Sequence, residues 1–183
     1  GQYASLALDS EGRAHIAYYD SVLRDLKYAR QDAALAWTVT TLLSEGTADV
    51  GAYASLGLVD DGAAVMVTYS NRSYGSLRSA YWGPSMAEPF TQLIDGFDRA
   101  GLQSSSGRDS MDRPHVAHVG RRDTFDHDLR YSFKSGANWI GAVIDADGAD
   151  DVSLCVADGR FEVSFRVDSC RNSVDREVAV EDG

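Results

Sequence analysis

The feature that most constrains this chain is an internal repeat of about fifty residues. Gly1-Gln2-Tyr3-Ala4-Ser5-Leu6-Ala7-Leu8 returns fifty residues later as Gly51-Ala52-Tyr53-Ala54-Ser55-Leu56-Gly57-Leu58. A more diverged third copy begins Gly101-Leu102-Gln103-Ser104-Ser105, and a fourth starts near Asp151-Val152-Ser153-Leu154. Further landmarks follow in fixed order. Arg13-Ala14-His15-Ile16-Ala17-Tyr18-Tyr19-Asp20 aligns with Ala63-Ala64-Val65-Met66-Val67-Thr68-Tyr69-Ser70, with the segment from Arg113 to Gly120, and with Arg160 to Phe165. Asp25-Leu26-Lys27-Tyr28-Ala29 is matched by Ser76-Leu77-Arg78-Ser79-Ala80 and by Asp128-Leu129-Arg130-Tyr131-Ser132, and an aromatic (Trp37, Phe90, Trp139) opens the last segment. A repeat of this period means a stack or ring of units, because each unit buries its apolar face only against a neighbour.

Each repeat reads as four short strands rich in Val, Ile, Leu, Tyr, Phe, Trp and Thr. Turns are marked by Asp9-Ser10-Glu11-Gly12, Asp60-Asp61-Gly62 and Asp158-Gly159, where glycine supplies the positive φ of a tight hairpin. No segment carries a sustained 3.6-residue apolar stripe. In the first strand Leu6 and Leu8 share one face, and Ser5 and Ala7 share the other. Apolar groups on both faces suit a sheet sandwiched between two others. The fold class is therefore all-β, a partial β-propeller of four-stranded antiparallel blades. The expected blades are 1–50, 51–100, 101–148 and 149–183. The last has strands at Val152–Val156, Arg160–Val167 and Arg176–Val180 and no fourth, giving about 3.75 blades. Further blades from the same or another chain are the expected partners, and the chain alone is not expected to form a stable closed monomer.

Composition sharpens the exclusions. The 183 residues carry 28 acids and 17 bases, a formal charge of −11. That argues against nucleic acid, which demands a basic footprint, and against an anionic membrane surface. No apolar run approaches the roughly 20 residues of a membrane helix. The sequence opens on Gly1 with no signal peptide, as expected of a processed product or a fragment.

The pattern Ser-Leu-Ala-Leu-Asp-x-x-Gly-x-x-His-Ile-x-Tyr-Tyr-Asp, then Asp-Leu-Lys-Tyr-Ala, then Trp, resembles repeats of bacterial secreted β-propellers of the broad sialidase-like and lectin-like kind. The resemblance runs over nearly the whole chain at the level of the blade. It implies an extracellular, cell-surface or periplasmic protein and does not choose among glycosidases, lectins and other modules. The sialidase motif Ser-x-Asp-x-Gly-x-x-Trp is missing, as is an identifiable pair of glycosidase carboxylates. The expected function is a non-catalytic binding module for a protein or glycan. A fragment of a sialidase-like hydrolase or lyase and an architectural subunit are the alternatives.

Four groups of residues are candidates for chemistry. Arginines recur in the loops between second and third strands: Arg24, Arg72, Arg121 with Arg122, and Arg171. Loops of successive blades emerge on one face, so these guanidiniums could bind carboxylates there. Salt bridges to Asp20, Asp25, Asp123 and Asp128 are the simpler explanation. Asp145, Asp147, Asp150 and Asp151 surround a glycine in an oxygen-rich loop of the kind calcium takes, without the EF-hand spacing; no other cofactor is implied. Cys155 and Cys170 could form a disulfide, although the hairpin at Asp158-Gly159 sets Cys155 opposite a residue near Glu162. His15 and His115 share one repeat position, which points to a structural role; His115 and His118, three apart, fall on opposite faces of a strand and are poor co-ligands; His127, in the acidic loop from Asp123 to Asp128, is the one histidine with metal-binding company. Tyr19, Tyr69, Trp37, Trp82 and Trp139 are candidates either for the core or for sugar-stacking surfaces between blades.

Overall fold

The computed structural model describes residues 1–97, 99–121, 127–146, 150–157, 160–169 and 172–180; in its last sheet, side chains are described at Val152, Ser153 and Leu154 alone. Three four-stranded antiparallel sheets are followed by a three-stranded one, each pairing its strands in chain order. Blade 1 comprises β1 (Gln2–Leu8), β2 (Ala14–Asp20), β3 (Asp25–Gln31) and β4 (Trp37–Leu43). Blade 2 comprises β5 (Val50–Val59), β6 (Ala64–Asn71), β7 (Ser76–Trp82) and β8 (Phe90–Asp95). Blade 3 comprises β9 (Leu102–Arg108), β10 (Pro114–Arg121), β11 (His127–Ser135) and β12 (Asn138–Asp145). Blade 4 comprises β13 (Asp150–Ala157), β14 (Arg160–Ser169) and β15 (Asn172–Val180). The first strands β1, β5, β9 and β13 pack against one another in that order. They are the inner strands of a partial β-propeller. No helix among the described residues is long and apolar enough to cross a membrane.

The repeated opening motif is the device that joins blades. Ser5 Oγ accepts the Leu56 N–H at 3.0 Å, Ser55 Oγ accepts the Ser106 N–H at 2.9 Å, and Ser105 Oγ accepts the Leu154 N–H at 3.0 Å. An edge strand has unpaired backbone donors, and here the preceding blade's serine satisfies one at every junction. The repeated glycine sets how closely blades approach. Gly51 has φ +100°, and a Cβ there would lie 2.7 Å from the Leu26 Cα. Gly101, at φ +89°, meets Leu77 in the same way. The inner strands β1, β5 and β9 then bulge, with a non-glycine residue in the left-handed region: Tyr3 at φ 53°, Tyr53 at φ 53° and Gln103 at φ 47°.

Apolar side chains fill the space between blades. Leu56, Val65, Val67 and Tyr69 of blade 2 pack with Ala17, Leu26 and Tyr28 of blade 1. Leu77, Val116 and Ala100 make a core at the next junction, with Ile94 and Trp139 against it. Burying a leucine of this kind contributes roughly 1.5–3 kcal/mol. Leu6 and Leu8, the counterparts of Leu56 and Leu58, are 62% and 60% exposed among the described residues.

Strand pairing corrects the repeat alignment in one place. Leu6 pairs with Ile16 and Leu56 with Val67, so His15 corresponds to Met66 rather than to Val65. The blade 2 turn is one residue longer, with Asp60, Asp61 and Gly62 all at positive φ. Strand register puts the extra residue in this turn and leaves the next loop the same length as in blade 1. Pairing also lengthens the strands of blade 4, and β15 runs antiparallel to β14 from Asn172 opposite Ser169 to Val180 opposite Phe161.

With the register set, a polar network emerges in blades 1 and 3. Asp9 accepts the Arg13 N–H at 2.8 Å and the Arg13 Nε–H at 2.6 Å, and His15 Nε2 lies 3.4 Å from the same carboxylate. His15 Nδ1 is 2.6 Å from the Tyr28 hydroxyl. Asp109, Arg113, His115 and Tyr131 repeat the arrangement. Blade 2 has Val59, Ala64, Met66 and Ser79 at these positions, and Val59, Ala64 and Met66 form an apolar cluster instead. All four polar members change together, as expected when a buried polar group without its partner costs more than an apolar replacement.

Candidate functional site

The seam between blades 2 and 3 opens into a cavity of about 180 Å³. β7 and β8 contribute Tyr81, Phe90 and Gln92; β9, β11 and β12 contribute Arg108, Lys134 and Trp139. The sequence brings the aromatics here because Phe90 and Trp139 open the fourth strands of adjacent blades. Phe90 is 57% exposed, so its ring is presented and not buried. Lys134 Nζ lies 5.5 Å above the Trp139 ring and donates to Gln92 Oε1. Burial pushes the Lys134 ammonium below its ordinary pKa. Arg108 is pinned by Nη1 to the Asp112 carbonyl at 2.9 Å and to its carboxylate at 2.8 Å. Trp139 Nε1 is buried with no hydrogen-bond partner among the described residues. Apolar faces beside fixed polar groups give this cleft the chemistry to hold a ring with one apolar face and hydroxyls around its edge.

The other end of the seam is electrostatic. Arg130 reaches across from blade 3 with Nη1 3.1 Å from Asp95 of blade 2 and Nη2 2.9 Å from Asp128. Gly120 makes room for it: a Cβ there would lie 2.5 Å from Arg130 Nε. His118, fully buried, is pushed down to about 4 by desolvation, with Arg130 adding to the effect and Asp95 opposing it. A cavity of about 350 Å³ lies beside this cluster, with Leu93, Phe97 and Val143 on its rim.

A third concavity, also about 350 Å³, follows the inner strands past Tyr3, Tyr53, Gln103, Ser104 and Ser153. Arg72 packs on the tyrosines of this region. Its guanidinium stands 5.3, 5.5 and 5.4 Å from the centroids of Tyr3, Tyr19 and Tyr53, and it donates to the Tyr3 hydroxyl at 2.9 Å. Desolvation opposes the Arg72 charge, but the tyrosine hydroxyls more than offset it and hold its pKa above the ordinary value.

The arginines read from the sequence are thus placed differently from one another. Arg24 is an exposed turn residue at φ 63°, and its carbonyl accepts the Val50 N–H at 3.0 Å. Its blade 2 counterpart is Gly75, at φ 59°. Arg72 lies on the tyrosines, and Arg121 ends β10 opposite His127. Arg122, Arg171, Asp147 and Cys170 lie outside the described residues. Only the backbone of Asp150, Asp151 and Cys155 is described, and Asp145 ends β12. Cys155 does pair with Glu162 in register, while Ser169 is seven positions further along β14, roughly 23 Å for an extended strand.

Of the aromatics, Tyr69 is wholly buried, Tyr19 lies beneath Arg72, and Trp82 meets Tyr28 edge-on at 5.9 Å. Trp37 is exposed on β4, and Trp139 lines the cleft. The sequence reading passed over Tyr81, Gln92, Arg108, Lys134 and Arg130. One signal was present: Lys27, Arg78 and Arg130 recur in the third strand, and Arg130 crosses to the preceding blade.

No family model matches the sequence, and no curated protein matches it significantly. Solved structures do share the fold. A Dyadobacter fermentans protein described as of unknown function superposes with a TM-score of 0.70 at 9% identity, over 96% of this chain and 65% of that one. A Hadza microbial sialidase gives 0.67 at 13% identity, over 98% and 44%. A fucose lectin from Kordia zhangzhouensis, solved with methyl-fucoside, gives 0.53 at 15% identity, over 78% and 99%. These likenesses establish a shared propeller fold. The chain spans less than two thirds of the Dyadobacter protein and less than half of the sialidase.

Proposed function

We propose that the chain is a carbohydrate-binding propeller module that holds a sugar ring in the cleft between blades 2 and 3. The observation that carries this reading is the Tyr81–Phe90–Trp139 panel set beside Gln92, Lys134 and Arg108. A pyranose has an apolar C–H face that packs on an aromatic ring, and hydroxyls that need donors and acceptors at its rim. The panel supplies the first. The Lys134 ammonium and the Gln92 amide supply the second. Sugar-related proteins, a fucose lectin and a sialidase, are among the structures with this fold, which supports the class of ligand.

The test is titration of the protein with methyl-fucoside, galactose, arabinose and sialic acid, followed by tryptophan fluorescence and calorimetry. At least one sugar binds at millimolar concentration or tighter, and Trp139→Ala and Phe90→Ala each weaken it at least tenfold while the fold is kept. No binding of any sugar, or binding indifferent to Trp139, overturns the reading.

A further inference from the structure

The seam between blades 1 and 2 and the seam between blades 2 and 3 follow one plan, and three of the positions at which they differ line one cleft. By strand register Tyr28 corresponds to Ser79, Leu58 to Arg108, and Trp82 to Lys134. In the first seam Tyr28 meets Trp82 edge-on at 5.9 Å, and Trp82 and Leu58 pack against the apolar core. In the second seam Ser79 stands in place of the tyrosine and leaves room. Arg108 and Lys134 stand in place of the leucine and the tryptophan, and the space beside them is the cleft of about 180 Å³.

Two cations where the neighbouring seam packs apolar groups cost stability unless a counter-charge meets them. The protein supplies little of it. Lys134 has no carboxylate partner among the described residues. Its Nζ donates to Gln92 Oε1 and lies over the Trp139 ring, and burial alone lowers its pKa. Arg108 commits Nη1 to Asp112, whose side chain is mostly exposed. Its Nη2 has the Met66 thioether, a weak acceptor, at 4.0 Å. Among the described residues no Asp or Glu lines the cleft, although the chain carries a formal charge of −11. We infer that the sugar held in this cleft is acidic, a hexuronate whose carboxylate is taken by Lys134 and Arg108. The inference rests on the sugar-binding reading above and names the class of sugar. A guanidinium fork and an ammonium point charge both suit a carboxylate, and the aromatic panel remains free for the apolar face of the ring.

Calorimetric titration with galacturonate, its methyl ester and galactose, and in parallel with glucuronate, its methyl ester and glucose, tests the inference. Within at least one series the free acid binds at least tenfold tighter than both the ester and the neutral sugar. That advantage narrows as salt is added, because a partly exposed ion pair is screened. Lys134→Met, which keeps the stem over Trp139, and Arg108→Leu, the residue of the neighbouring seam, each reduce the ratio of acid to neutral affinity at least threefold. The ester comparison uses the unmodified chain, so it decides the matter even if a variant fails to fold. Equal binding of acid, ester and neutral sugar overturns the inference and leaves the sugar-binding reading standing. So does a preference for the acid that survives both substitutions, since the carboxylate is then held elsewhere. Binding of no sugar overturns both.

Discussion

Replacing His15 by methionine, the residue blade 2 uses at this position, tests whether the blade 1 network acts as a unit. His15 and Tyr28 are 3% and 2% exposed, and 2.6 Å separates Nδ1 from the hydroxyl. Methionine fills similar volume but offers the hydroxyl no comparable partner. A buried polar group stripped of its hydrogen bond costs about 1–3 kcal/mol. For a chain of this length each kcal/mol moves Tm by about 2–4 °C, so His15→Met should lower Tm by roughly 2–12 °C. Tyr28→Phe strands the imidazole in the same way and carries a similar cost. The double variant His15→Met/Tyr28→Phe removes both ends, and it should be more stable than the sum of the singles by about 1 kcal/mol or more. Asp9 keeps its Arg13 bonds throughout, so the cycle isolates the His15–Tyr28 contact. Urea unfolding of the four proteins gives the numbers. Additivity within about 0.5 kcal/mol, or a single variant indistinguishable from wild type, would refute the reasoning.

Other consequences follow from the same packing. Gly51→Ala meets both an unfavourable φ and the Leu26 backbone, so it should cost more than the roughly 1–3 kcal/mol of strain alone, seen as a lowered urea midpoint. Ser55→Ala removes the acceptor of the Ser106 N–H and should cost about 1 kcal/mol, with faster amide exchange at Ser106. Stability should fall with acid in two stages. His118 has a folded pKa of about 4 against an ordinary 6.5, so the unfolded chain takes up its proton first and stability is lost as pH drops from 6.5 to about 4. Desolvation raises the Asp9 and Asp109 carboxyls, but hydrogen bonds from arginine and histidine more than offset it and hold both at about 2. Their stabilisation is complete above the ordinary carboxylate value and disappears as pH falls toward 2. His118→Asn should flatten the upper stage of a melting profile and leave the lower one; an unchanged upper stage contradicts the assignment.

The sequence by itself determined the fold class, because its signals are local. Alternation along a strand, glycine in a tight turn and recurrence of Gly-x-Tyr-Ala-Ser-Leu are written in neighbouring residues, and they specified antiparallel blades before any contact was known. They also placed Cys155 opposite Glu162 and marked the repeated histidine as structural. The tertiary structure decided everything that depends on how two sheets dock. An extra residue in the Asp60–Gly62 turn reads equally well as an extra residue in the next loop, since letters do not carry hydrogen bonds. Only the pairing of Leu56 with Val67 fixes His15 against Met66 and exposes the exchange of Asp, Arg, His and Tyr for an apolar set. The loop arginines looked like one feature, yet register separates Arg24 from Arg72, and three tyrosines from two blades determine where Arg72 lies. The cleft at Trp139 joins residues some fifty positions apart, and its geometry exists only once the serine joints and close glycine contacts have set the angle between blades.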